Sequence, residues 1–408
     1  MSPNSPAQLA ESDPQPSQGW RWRFEIANWG SLPIVVGLII SWLALGFIND
    51  AFLTPLNLTN LMLQIAALGT VAIGICLVLL LGEIDMSAGV VSGLSAALMA
   101  ALNVRLGVPG PLAVLAGIGA GALVGLFQGL WITRLRIPSF IVTLAGMIGW
   151  WGVVLWLLGS TGTIPVRDTF ITGIANTFFT SPIVGGLVGL LLVAGYAVLL
   201  SYDRLQRLTA NLSAPSSGVL VLRVLIVAVI VGAALLIFYA DRGLPLVVVI
   251  FIGLVIIIDG LTRRTVYGRH IFAVGGNAES ARRAGIRVDR IRLSVFTLAS
   301  LIAAIGGILA ASHLSAAYRT AGNSEFLLNA IAAAIIGGTS LFGGRGSAWS
   351  AVLGALVIGT ISSGMDLLGF KTGSEFMTSL KYLITAGVLL AAVTLDVVTR
   401  RRREAAGR

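Results

Sequence analysis

Apolar residues in this chain come in unbroken runs. They show neither the alternation of a half-buried strand nor the single stripe of a surface helix. Twelve runs lie at roughly 32–50, 61–81, 88–104, 110–132, 139–158, 182–200, 219–239, 244–261, 293–313, 326–342, 347–365 and 376–396. Most approach or exceed the ~18 residues that suggest a membrane-spanning helix. Transmembrane barrels alternate apolar and polar positions, and these runs do not. The expected fold is an all-α polytopic bundle of about 12 spans, within a range of 10–12.

The polar stretches between the runs set the expected topology. The longest internal one, Arg263 to Arg292, carries eight arginines. Positive charge marks cytoplasmic loops. With twelve spans, the inside segments hold 21 of the 27 Lys and Arg and the outside segments hold 6. Both termini are therefore expected in the cytoplasm. The Trp20, Arg21, Trp22 and Arg23 cluster suits the first membrane interface. Residues 1–25 read as a disordered tail, 26–398 as the transmembrane domain and 399–408 as a basic tail. The longest external connection, 159–181, has room for one interfacial helix and not for a folded domain, so any external carrier is another chain.

Composition narrows the class further. At 56% hydrophobic, 11% charged and mean hydropathy +0.94, the chain is not a soluble domain. The net charge of +10 is explained by insertion topology, and nucleic acid is not an expected partner. Cys76 is the one cysteine, so no disulfide forms within the chain. No G-x-x-x-x-G-K-[ST] loop, His/Cys cluster or catalytic triad stands in the sequence. The expectation is a transporter that binds no metal or nucleotide and is not itself an enzyme.

Several residues carry candidate chemistry. GEIDMSAG (82–89) and GGTSLFGG (337–344) each join an apolar run to a small-residue run, suggesting a parallel two-half repeat with binding near broken helices. From these come Glu83, Asp85, Ser87, Gly89, Gly337, Gly338, Thr339 and Ser340 as candidates for the translocation path. Two readings of Glu83 and Asp85 stay open: they bond a polar substrate or brace a broken helix, or Asp85 or Ser87 caps the next helix. Gln64, Gln128, Asn329, Ser312 and His313 are polar positions within spans. Amides and aromatic faces such as Phe127, Trp150 and Trp151 are groups sugars use, but hydrogen bonds between helices or anchoring at the interface are the commoner explanation of such residues. In the arginine-rich loop, Ala278–Ala284 fits a short helix after a Gly-Gly-Asn turn. Asn277 is its N-cap, Glu279 sits in its first turn and Gly285 stops it. The small-residue stretch GIGAGALVG (117–125) fits close helix packing in lipid.

GEIDMSAG, IPSFIVTLAGM (137–147), YGRHIFAVGGNAESARRAGIRV (267–288) and IIGGTSLFGGRGS (335–347) together resemble the permease subunits of bacterial ABC sugar importers. The resemblance runs from about 57 to 396. Met86 and Ala88 depart mildly from the family spelling. The additional apolar stretch at 182–239 looks like the xylose-type members. The resemblance implies a bacterial inner-membrane permease, two copies of which form the channel. Cytoplasmic ATPase subunits, which hold the ATP, dock on Gly275, Gly276, Asn277, Glu279, Arg282, Arg283 and Gly285. A periplasmic sugar-binding protein delivers the sugar. A secondary transporter or channel working without ATP is the alternative from another class, and a branched-chain amino-acid permease is the rival within it.

Overall fold

The computed structural model describes residues 32–320, 322–372 and 375–406. The expected tail at 1–25, with the Trp20 to Arg23 cluster, and Arg408 lie outside the described residues. The chain opens with α1 (Leu32–Ile48), α2 (Pro55–Leu80), α3 (Ala88–Leu106), α4 (Gly110–Arg134) and α5 (Ser139–Leu158). A short outer segment follows: β1 (Thr163–Pro165), α6 (Thr169–Asn176) and β2 (Phe178–Phe179). Then come α7 (Pro182–Thr209), α8 (Ser217–Asp241), β3 (Leu244–Pro245) and α9 (Leu246–Arg264). The remainder is α10 (Val266–Gly276), α11 (Ala278–Arg283), α12 (Val288–Leu314), β4 (Ala316–Tyr318), α13 (Ser324–Ile336), α14 (Ala348–Thr372) and α15 (Glu375–Ala406).

Each of the twelve apolar runs is helical. Among the described residues, ten helices are long and apolar enough to cross a membrane. The other two are shorter. α1 has 17 residues, at the lower limit of ~17–25 for a span. α13 has 13, which at ~1.5 Å per residue reaches about 20 Å, short of a ~30 Å hydrocarbon core. It stops early because Gly337 and Gly338 follow, and Gly338 adopts φ +106°.

α12 is the centre of the bundle, packed against α2, α3 and α4, and α2 is almost wholly buried. Lipid tails are as apolar as these helices, so close van der Waals contact must hold them together. Gly117, Gly121 and Gly125 line one face of α4. A Cβ on Gly121 would stand 2.5 Å from the Ala304 Cβ, and one on Gly125 would stand 2.5 Å from the Phe296 carbonyl oxygen. Gly74 brings α2 equally close to the backbone of Ala299.

The two ends of the bundle differ. At one, β1 pairs antiparallel with β4 and β2 with β3. There Asp168 caps α6, the helix expected in 159–181, and Ser312 Oγ donates to the Ile171 carbonyl at 2.6 Å. At the other end lie the arginine-rich loop and both Gly-rich stretches. The α7–α8 hairpin stands apart. Its helices touch chiefly each other, with Gly185 and Gly189 of α7 facing Tyr239 and Leu235 of α8. α7 continues well beyond residue 200, where the sequence turns polar. Its Asp203 meets Arg264 of α9 at 3.3 Å.

Gly125→Leu should strain the α4–α12 contact by about 1–3 kcal/mol or more, whereas Gly119→Leu, where a Cβ meets nothing within 4 Å, should be tolerated. Thermal unfolding of the detergent-solubilised protein checks this. Equal midpoints for the two variants would contradict the packing assignment.

Candidate coupling junction and adjoining cleft

The arginine-rich loop is largely helical. Thr265 caps α10, its Oγ1 accepting from Gly268 N at 3.1 Å. Gly268, Ile271 and Val274 turn inward, so α10 lies against the bundle. Tyr267 Oη and Ser294 Oγ, 2.9 Å apart, tie it to α12. α11 forms as its residues predict. Asn277 Oδ1 accepts from Ser280 N at 2.9 Å, and Gly285 takes φ +87° beyond its end. Glu279 pairs with Arg282 at 2.9 Å and Arg283 at 3.3 Å, all exposed. The expected Gly-Gly-Asn turn is different in detail: Gly275 and Gly276 are the last residues of α10, and the chain turns at extended Asn277.

Those two glycines touch the rest of the molecule through backbone alone. A Cβ on Gly275 would overlap the Leu80 carbonyl oxygen at the end of α2 and lie 2.8 Å from Gly344 N. Gly344 N itself donates to the Leu80 carbonyl at 2.9 Å. A Cβ on Gly343 would stand 2.6 Å from the Gly275 carbonyl oxygen and 2.7 Å from Gly82 N. Gly82, Gly343 and Gly344 all have positive φ, between +71° and +81°. The loop after α2, the loop after α13 and the end of α10 thus form one junction of bare main chain. Both Gly-rich stretches lie at the same end, although α13 is half as long as α2.

The polar candidates hold this junction in place. Glu83 forms an ion pair with Arg292 of α12 at 2.6 Å. Asp85, only 2% exposed, accepts from Ser87 N at 2.8 Å and Ser87 Oγ at 2.6 Å, bracing the start of α3. Met86 N donates to Thr143 Oγ1 of α5 at 3.1 Å. Gly89 presses on the start of α13, where its Cβ would meet Leu327 Cβ at 2.7 Å. In the second stretch, Thr339 Oγ1 lies 3.2 Å from Cys76 Sγ. Ser340 Oγ donates to Asp396 of α15 at 3.0 Å, and Gly337 abuts the Ser350 carbonyl. The two stretches meet at close backbone contacts of Leu80, Gly82, Phe342, Gly343 and Gly344.

Beside the first cluster, α4 and α5 enclose a cleft of about 450 Å³. α5 packs chiefly against α3, which leaves this space open. Phe127, Trp131 and Trp150 line it, with ring centroids 5.8 Å (Phe127–Trp131) and 6.1 Å (Phe127–Trp150) apart. Gln128, 1% exposed, reaches it from α4 over Gly146, and its Oε1 lies 3.0 Å from Ser87 Oγ. Trp151 does not line the cleft, although it and Trp150 both pack against the apolar cluster around α3, and Gln64 is exposed on α2. The Arg292 partner of Glu83 and the bare contacts of Gly275 were not foreseen from the sequence. An acidic residue flanked by apolar runs was the available signal that some arginine must reach it.

A family profile described as branched-chain amino acid transport system / permease component matches residues 57–393. The chain is 35% identical over 372 residues to the xylose transport system permease protein XylH of Escherichia coli K12, covering 90% of this chain and 91% of that one. It is 33% identical over 370 residues to the XylH of Haemophilus influenzae, covering 90% and 96%. To the ribose import permease protein RbsC of Bacillus subtilis it is 32% identical over 362 residues, covering 88% and 91%. No solved structure matches the chain.

Removing one partner of the Glu83–Arg292 pair leaves a largely buried charge unpaired, which is strongly destabilising. Arg292→Met should lower stability by about 1–3 kcal/mol, less than a fully buried pair because Arg292 is 31% exposed. Glu83→Met with Arg292→Met should recover much of that loss. Melting midpoints in detergent test this, and a double variant no more stable than Arg292→Met alone would refute the pairing.

Proposed function

The chain belongs to the family described as branched-chain amino acid transport system / permease component, and we propose that within it this is the permease subunit of an importer for D-xylose. The sugar branch is supported by the curated relatives, which include xylose and ribose permeases matched along most of their length. As such a permease the chain is a multi-pass inner-membrane protein and not an enzyme. In our reading both termini are cytoplasmic, and 26–398 is the membrane domain with its coupling loop at 263–292 and an added hairpin within 182–239. Residues 1–25 and 399–408 are its cytoplasmic tails.

The observation that carries this reading is the main-chain junction of Gly275, Leu80, Gly82 and Gly343. A partner that binds ATP needs a rigid, exposed handle and a stiff connection from it to the membrane helices. α11 supplies the handle, with Glu279, Arg282 and Arg283 exposed beside Asn277 and Gly285. Gly275 and Gly276 supply the connection. Because no flexible side chain intervenes, a displacement of α10 moves the ends of α2 and α13 directly, and with them Glu83, Asp85, Ser87, Gly89 and the 337–340 loop. Packed contacts shift as units and do not deform smoothly. ATP and its hydrolysis belong to the partner subunits. A periplasmic sugar-binding protein docks at the opposite end, on α6 and the two strand pairs. A second copy of this chain completes the channel, with lipid around both.

Labelled D-xylose uptake into proteoliposomes holding this chain with its ATPase and binding protein should require enclosed ATP and both partners. Uptake should be competed best by unlabelled xylose. Downhill flux through this chain alone without ATP would overturn the reading and favour a secondary transporter. Competition by ribose in place of xylose would change only the sugar. Exchanging Glu279→Arg with Arg283→Glu keeps a local i, i+4 pair but inverts the surface. The ATPase should then fail to co-purify, and undiminished co-purification would refute docking at α11.

A further inference from the structure

Two residues that line the α4–α5 cleft carry buried polar atoms with no protein partner. Gln128 Nε2 and Trp150 Nε1 are both buried without a hydrogen bond. Buried polar side chains are normally satisfied, and each exception calls for an explanation. The amide is not loosely placed. Ser87 has one hydroxyl proton, and both Asp85 Oδ1, at 2.6 Å, and Gln128 Oε1, at 3.0 Å, stand in position to accept it. If the proton goes to Asp85, Ser87 is left to accept from the amide N–H; if it goes to Gln128, Ser87 donates to the amide oxygen. Either way one end of the amide is fixed by Ser87 and the other end has no protein partner. Gly146 makes this placement possible, because a Cβ there would collide with the Gln128 amide.

We propose that this cleft is the station where the permease itself holds the transported monosaccharide, with the Gln128 amide and the Trp150 indole N–H bonding its hydroxyls. The proposal rests on the sugar-importer reading above. A hydroxyl both donates and accepts, so it satisfies Gln128 whichever way the amide is turned. The rings of Phe127, Trp131 and Trp150 offer apolar faces to the C–H side of a sugar. The volume falls in the roughly 300–1,000 Å³ range of small-molecule sites. An acyl chain or an apolar helix seated here would leave both donors unpaired. Asp85 and Ser87 act as positioning residues. They tie the cleft to the α2–α3 loop, so a shift of that loop at the coupling junction reorients the amide that holds the sugar.

Two experiments on the assembled transporter test this. Gln128→Leu and Trp150→Phe should each lower ATP-driven xylose uptake about tenfold, the loss of one hydrogen bond, while the ATPase still co-purifies. Uptake within twofold of the parent for both would overturn the proposal. Should Gln128→Leu fail to assemble, Trp150→Phe and a labelling experiment decide. A Cβ at Gly149 meets nothing within 4 Å, and the native Cys76 is buried. Gly149→Cys should therefore be modified by a charged, membrane-impermeant thiol reagent, and more slowly during xylose transport. Modification only by an apolar reagent would show a lipid-facing cleft and refute the site. If the parent assembly imports no sugar at all, the importer reading itself fails, a result separate from these.

Discussion

Three stretches of main chain meet at close backbone contacts at the arginine-rich end, and much of the fold serves to keep them in contact. A carbonyl from Leu80 and the backbones of Gly82, Gly275, Gly343 and Gly344 fill the same small volume. Such a contact has no give. It also satisfies polar groups that would otherwise be stranded, since the last carbonyls of α2 need partners and Gly344 N supplies one. The ion pair of Glu83 with Arg292 and the hydrogen bond of Ser340 to Asp396 tether the two loops to α12 and α15. The junction is thus held on the membrane side by paired charges and on the exposed side by the capped turn of α11.

The same rule of close backbone approach governs the bundle. α12 occupies its centre because glycines at Gly74, Gly121 and Gly125 on its neighbours let it sit within van der Waals reach of them. Nothing in a hydrocarbon environment would otherwise draw apolar helices together. Where side chains are large and outward, as on α7, α8 and α15, the helices have little burial. A graded architecture results: a tightly packed centre formed by α2, α3, α4 and α12, and a periphery that meets its surroundings.

Much of this was legible in the sequence for simple physical reasons. Unbroken apolar runs of this length read as membrane helices, and all twelve are helical. Asn277, Glu279 and Gly285 carry local capping chemistry, so α11 could be read from seven residues. α10 was missed because Arg269, His270 and the glycines mask its inward face, whose buried side chains are only Ile271 and Val274 beside Gly268. The extension of α7 to Thr209 was missed because its polarity marks the limit of the apolar layer and not of the helix. Glu83 and Asp85 were seen as unusual, but their partners could not be named. Arg292 lies more than two hundred positions away in sequence, and Ser87 and Gln128 meet only when α3 and α4 pack. The family profile and the curated relatives agree with the resemblance seen in the four motifs.

The α7–α8 hairpin starts and ends at the same end of the bundle, where β2 pairs with β3. Its helices satisfy each other through Gly185, Gly189 and Tyr239 and touch the rest sparingly. The β2–β3 pair brings the chain back to the place it left, much as a staple closes a cut. A hairpin closed on itself in this way shapes the perimeter of the molecule and leaves the packing around α12 to other helices.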